Sequence, residues 1–402
     1  MRDVFSSQQK TIFVLIGVAT LVRLGYIAFL ARYEILRLPI LDAEYYVEWA
    51  TNIIQHGWLG ERIFFTEPLY AYLLALFLKI FGEHTWLPAM LGLQFVLGAL
   101  FPVLLFAVGT KLFSRSIGIV AGLIAALYGP FVFYDGLLLK TSLEVYSIPL
   151  FLLVFWHAME HPKTRTFVFA GLMLGVIALI KGNVLIFVPL ACLFIFFFLE
   201  PFVLQRRLLF IGAFVMGVIA CIAPITLRNY LVGQDIVPTN YSIGLVLYQG
   251  NWWGGDGSTA RVPSFLRPHP KYEERDAVGM AESYQGHVLK PSEVSRFWMS
   301  KTLAEITDAP NHFLATLWHK VLLLLNYREY SDNYSYAFYR SYIPFLWILP
   351  GYFFVILCGG VGLVLLFFKH FEAMIVNAHA LAMKEQALAR FRRTRRMLFW
   401  FF

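Results

Sequence analysis

The chain has 402 residues, of which 59% are hydrophobic and only 14% charged, against about 25% charged in a soluble domain. With a mean hydropathy of +0.65, this excludes an ordinary cytosolic enzyme, a disordered chain and a disulfide-rich secreted module. It reads as an all-α integral membrane protein. The net charge of +8 fits basic residues in cytoplasmic loops and does not require a nucleic-acid partner. Cys192, Cys221 and Cys358 lie in apolar runs, which predicts free thiols.

A helix needs roughly 20 apolar residues to cross the hydrocarbon core. Stretches of that kind occur at 11–31, 86–110, 116–134, 138–157, 166–181, 183–199, 208–227 and 343–368. The first is too long for a signal-peptide core and lacks a cleavage site. Two further stretches, 68–82 and 312–326, hold only about 15 residues each and suit helices lying on the membrane surface. With both on the surface, Lys111, Arg115, Lys163, Arg165, Arg206, Arg207 and the arginines of 390–396 all face one side. The positive-inside rule makes that side cytoplasmic. The expectation is about eight spans with two long outer loops, 32–85 and 228–342. The chemistry is expected on the outer face, because the inside turns are short.

The first outer loop opens with Leu41-Asp42-Ala43-Glu44-Tyr45-Tyr46. Asp42 reads as an N-cap of a short helix ended by Gly57. Tyr45, Tyr46 and Trp49 would form an aromatic face at headgroup level. Glu67-Pro68 begins a second helix, with Gly82 as its stop. Asp42 and Glu67 can serve merely as caps. Asp42 can also serve as a general base at the membrane surface.

Further along stand Lys111-Leu112-Phe113-Ser114-Arg115, Tyr134-Asp135-Gly136-Leu137-Leu138-Leu139-Lys140 and Ile180-Lys181-Gly182-Asn183. Thr226-Leu227-Arg228-Asn229-Tyr230 and the glycine-rich run Gly250 to Gly257 follow. In this order the motifs resemble the GT-C superfamily of polyprenol-dependent glycosyltransferases. The likeness is greatest to the bacterial branch related to protein O-mannosyltransferases and the aminoarabinose transferase, and covers most of 10–368. The resemblance implies a catalytic acid at the start of the first loop helix, here Asp42. It implies a polyprenyl-phosphate-linked sugar as donor and an inverting transfer. A second acid is frequent in the family where this chain has Thr141, so either Asp135 or Glu144 takes its place or the second acid is dispensable. That departure also weakens the case for a divalent metal, since hard cations want several oxygen ligands.

Ionisable residues at span edges call for a functional hypothesis. Lys140 and Glu144 are four residues apart and could pair on one helix face. Lys181 and Arg228 could bind the donor phosphate or snorkel to headgroups. Arg23, mid-span, needs an interior partner or a route to the interface. In the second loop, Asn251 and Trp252 sit in a run that could be a turn or could hold a sugar. The stretch 261–275 reads as a mobile loop, and 312–326 as an interfacial helix. The tail, 369–402, reads as a basic cytoplasmic flank against anionic lipid, ending in what looks like the start of another span.

The expected organisation is a membrane core over 1–228, a second outer loop over 229–342, a last full span over 343–368, and the tail. The expected location is a bacterial inner membrane with the active site facing the periplasm. Two other readings use the same residues: a lipid or solute transporter, and a non-catalytic assembly subunit.

Overall fold

A computed structural model describes residues 2–30, 39–258, 261–326, 331 and 333–376. The predicted basic end of the tail, 377–402, lies outside the described residues, as do residues 327–330 after the stretch 312–326.

The membrane core begins with α1 (Arg2–Leu30). The first loop carries α2 (Asp42–His56) and α3 (Leu69–Phe81). Next come α4 (Trp86–Leu112), α5 (Arg115–Leu127), α6 (Gly129–Asp135), α7 (Thr141–Glu160) and α8 (Thr164–Ile180). A 3-10 turn (Gly182–Ile186) leads into α9 (Phe187–Phe198), and α10 (Leu204–Gly233) closes the core. The second loop contains α11 (Ile243–Asn251), α12 (Pro270–Gln285), α13 (Pro291–Asp308), α14 (Pro310–Leu324) and α15 (Tyr336–Tyr342). A 3-10 turn (Pro344–Trp347) precedes α16 (Tyr352–Val376).

Apolar helices stand at every predicted span, but the count of eight is not reached by length. Among the described residues, five segments are long and apolar enough to cross: Ser7–Leu30, α4, α7, α10 and Pro344–Phe368. α5 and α6 form a sixth only as one helix bent by 50°. The break falls at Tyr128, whose backbone is extended, two residues before Pro130, whose ring and missing N–H disrupt the helix ahead of it. α8 has 17 residues, a rise of about 25 Å against a hydrocarbon core of about 30 Å.

The helices approach closely through small residues, as expected where lipid removes the hydrophobic drive between apolar surfaces. At the α8–α10 crossing, a methyl on Gly171 would collide with the Phe214 carbonyl, and one on Gly217 with that of Val168. At one end of the bundle Lys111 Nζ meets Glu160 Oε2 at 2.6 Å, tying the ends of α4 and α7 together. The start of α8 follows directly, so the basic turns 111–115 and 160–165 share that end.

The first loop does not float. Its Phe64 and Phe65 carbonyls accept the Tyr241 and Ser242 amides at 3.2 and 3.1 Å. Ile63 and Phe65 are buried in a small core with Tyr241, Leu245, Tyr248, Ala277, Val294 and Trp298 from the second loop. The second loop is therefore a packed helical unit. The stretch expected to be mobile is largely fixed: Arg267 Nη2 pairs with Asp276 Oδ1 at 2.6 Å, and residues 270–285 are helical. α14 covers most of the stretch 312–326, and Leu314, Leu317, Trp318, Val321 and the following Leu325 are exposed.

Candidate active site

α2 begins after a sharp reversal at Leu41, whose φ of 52° is in the left-handed region. Such a conformation is rare for a branched side chain. Asp42 is thus the first helical residue and not the cap, and no side chain caps this helix. Its Oδ2 instead accepts from Asn333 Nδ2 at 2.9 Å. The carboxylate lies at the positive end of the helix dipole and is partly exposed.

The aromatic face of α2 turns into the protein and not toward headgroups. Tyr45, Tyr46 and Trp49 are all buried. Tyr46 packs edge-on against Tyr70 at 5.2 Å, and Trp49 against Phe64 at 4.8 Å. The alternation of apolar and polar residues on α2 is the same for either destination, so the pattern alone could not choose.

The second loop helix follows its prediction closely: Pro68 caps α3, and Gly82 stops it at φ 73°. Glu67 does not cap it. One carboxylate oxygen takes Lys140 Nζ at 2.5 Å and the other takes the Gly182 amide at 3.0 Å. Burial would raise the Glu67 carboxyl above its ordinary value; the Lys140 ammonium and the Gly182 N–H outweigh that and hold it below. Lys140 therefore pairs with Glu67 and not with Glu144, its neighbour at i+4. Glu144 Oε1 faces Lys181 Nζ at 3.6 Å. Lys140 precedes α7 as its N-cap residue, which lets it reach across to α3.

Tyr46 is the hub of this cluster. Its Nζ neighbour Lys140 lies 5.8 Å from the ring centroid. Its hydroxyl is held neutral well above its ordinary range, first by burial and then by the charges of Glu67 and Asp42, with Glu144 a smaller contributor. The Lys140–Glu67 pair thus lies beside the helix that Asp42 begins, and Glu144, one turn along α7 from Lys140, carries the second pair with Lys181. The lysines retain some exposure, 14% for Lys140 and 36% for Lys181.

Asp135 is placed differently. It is 0% exposed and faces the bundle interior. Oδ2 meets Arg23 Nε at 2.9 Å and Nη2 at 2.8 Å; Oδ1 accepts from Ser142 Oγ at 2.9 Å and from the Tyr146 hydroxyl. Arg23 thereby has the interior partner its position demanded. With both oxygens engaged and no exposure, this carboxylate has no route to an acceptor proton in this conformation. Its sequence position beside the outer boundary suggested otherwise, but it pairs inward with Arg23 of α1.

Arg228 is also enclosed, at 4% exposure. Nε donates to the Leu59 carbonyl at 2.6 Å, Nη1 to Asn229 Oδ1 at 2.9 Å, and the guanidinium stacks 4.1 Å from the Phe64 ring. It braces the first loop against the end of α10. Asn251 and Trp252 belong to a separate cluster in the second loop. Asn251 Oδ1 accepts from Lys320 Nζ at 2.9 Å, and the Trp252 indole folds over Gly254 and Gly255. Among the described residues, no three His, Cys, Asp or Glu side chains converge as metal ligands.

Sequence reading gave no role of their own to Asn333, Gly182 or Gln94. Gln94 had a usable signal, a lone amide in a membrane span. Asn333 and the Gly182 amide had none, because they meet their partners across 291 and 115 residues of chain.

No curated protein sequence matches the chain. Residues 66–227 match the family model described as dolichyl-phosphate-mannose-protein mannosyltransferase. The matched segment carries Glu67, Asp135, Lys140, Glu144 and Lys181. Over that segment the resemblance read from the motifs holds, and the matched family is one of membrane glycosyltransferases of the GT-C type.

Proposed function

We propose that the protein transfers a sugar from a polyprenyl phosphate to an acceptor hydroxyl, with Asp42 as the general base. The observation that carries this reading is the two lysine–carboxylate pairs, Lys140 with Glu67 and Lys181 with Glu144, set within the matched segment, with Lys140 beside Tyr46 on the helix that Asp42 begins. In the reaction, Asp42 takes the acceptor's hydroxyl proton as its oxygen attacks the anomeric carbon. The bond from that carbon to the phosphate oxygen breaks, and the polyprenyl phosphate leaves with the bonding pair. A displacement of this kind inverts the anomeric centre.

Lys140 and Lys181 are the cations that balance the charge growing on the leaving phosphate. Each is held by a carboxylate, Glu67 or Glu144, so an arriving phosphate competes for a lysine that is already oriented. Tyr45 and Tyr46 keep α2 in place beneath Asp42. Arg228 supports the site by fixing residues 59–64, and its enclosure argues for that role over direct phosphate contact. Asn251 and Trp252 form a second-loop surface for the acceptor or the donor sugar. Support for an outward-facing site comes from the basic turns sharing the opposite end of the bundle, which the positive-inside rule assigns to the cytoplasm. A bacterial inner membrane fits that arrangement.

The test uses purified protein in liposomes with a polyprenyl-phosphate-linked sugar. Release of polyprenyl phosphate together with a covalent sugar–acceptor product supports the reading. Movement of lipid or solute across the bilayer with no covalent product contradicts it.

A further inference from the structure

We propose that Asp135 is a positioning residue: with Arg23, Ser142, Tyr146 and Gln94 it fixes the turn 136–140 and so sets Lys140 at the site. This rests on the reading of Lys140 as a contact for the donor phosphate.

The turn joins α6 to α7 and carries its own backbone bonds, Gly136 N to Phe133 O at 3.0 Å, Leu137 N to Tyr134 O at 3.2 Å and Leu139 N to Leu137 O at 2.8 Å. Leu137, Leu138 and Leu139 are buried. The turn therefore hides its side chains and delivers one functional group, the Lys140 ammonium, at its exit. Asp135 stands at the entry. Its Oδ1 accepts from Ser142 and Tyr146, which lie on the first two turns of α7, just past the exit. Its Oδ2 is held by Arg23 of α1. One carboxylate thus staples the two ends of the turn to each other and both to α1.

Gln94 of α4 completes the arrangement. Its Nε2 donates to the Asp135 carbonyl at 3.1 Å and to the Leu137 carbonyl at 2.7 Å, satisfying turn carbonyls that lipid could not. Its Oε1 accepts from the Tyr70 hydroxyl at 3.0 Å. Tyr70 belongs to α3, which starts two residues after Glu67. The same network therefore holds both partners of the Lys140–Glu67 pair. Space for it depends on Gly98 of α4, where a methyl would collide with the Asp135 carboxylate and the Arg23 guanidinium.

The experiment measures acetylation of individual lysines in the full-length protein in nanodiscs, quantified by mass spectrometry, alongside binding of a polyprenyl phosphate. Asp135→Asn keeps the side-chain size and removes the charge. Local opening of the turn is expected to raise Lys140 acetylation by about tenfold and to weaken polyprenyl phosphate binding. Lys111, paired with Glu160 at the other end of the bundle, is expected to react as in the parent protein and reports on folding. Should Asp135→Asn fail to fold, Tyr146→Phe, which deletes only one hydroxyl, is expected to give a smaller rise of the same kind. Unchanged Lys140 acetylation in a folded variant overturns the proposal and leaves the proposed transfer standing. Raised acetylation with unchanged polyprenyl phosphate binding overturns the phosphate role of Lys140 instead.

Discussion

Two regions of this protein use the same chemistry to opposite ends. The interior holds Arg23 against Asp135, both at 2% exposure or less, with each carboxylate oxygen engaged. The outer cluster holds Lys140 against Glu67 and Lys181 against Glu144, all with some exposure. Residue type does not separate them. Exposure and the number of partners do: the interior pair is closed to any ligand, whereas an outer lysine can exchange its carboxylate for a phosphate.

The comparison is broken most severely at the interior pair. Arg23→Leu strands a carboxylate in the bundle, and the expected loss is about 3–5 kcal/mol of stability, read as a lowered melting temperature in detergent. The double replacement Arg23→Met with Asp135→Leu removes both charges together and should recover most of that loss. A double variant as unstable as the single one would show that the pair is not the source. At the outer cluster the balance reverses. Lys140→Met should cost less stability than Arg23→Leu, because Glu67 keeps the Gly182 amide and some exposure, while weakening polyprenyl phosphate binding by about tenfold or more. A large stability loss with normal binding would move Lys140 into the structural class.

The smallest effect is one of pH. Glu67 is held below its ordinary carboxyl value when folded, net of the burial that opposes this. A depressed carboxyl contributes stability at pH above its unfolded value and loses it as pH falls through the folded one. The Glu67–Lys140 contribution should therefore be present at neutral pH and fade below the ordinary carboxylate range. Glu67→Gln should flatten that part of the stability profile, and an unaltered profile would mean that Glu67 is not its source.

Much of the fold was legible because membrane helices announce themselves by composition. The limits of α3, with Pro68 and Gly82 at its ends, were readable from local backbone preference alone. The pairings were not. A spacing of four made Lys140 and Glu144 look like partners, yet Lys140 reaches Glu67 across 73 residues. Local spacing fixes what can pair on one helix, and tertiary packing decides what does. The inward turn of Asp135 was hidden for a related reason. Gly129-Pro130 signals a break but not its direction. The aromatic residues of α2 misled because a face that suits headgroups suits a protein core equally well. Within the site, Asp42 stood out through its place at the start of a loop helix, while its partner Asn333 lies in a distant part of the chain.

The most direct test of the account is sugar transfer by Asp42→Asn, measured with a polyprenyl-phosphate-linked sugar in liposomes beside donor binding and melting temperature. Loss of a general base predicts a fall of about 10²–10⁴-fold in transfer, with donor binding and stability close to those of the parent protein. Transfer at the parent rate by a folded Asp42→Asn protein would contradict the account.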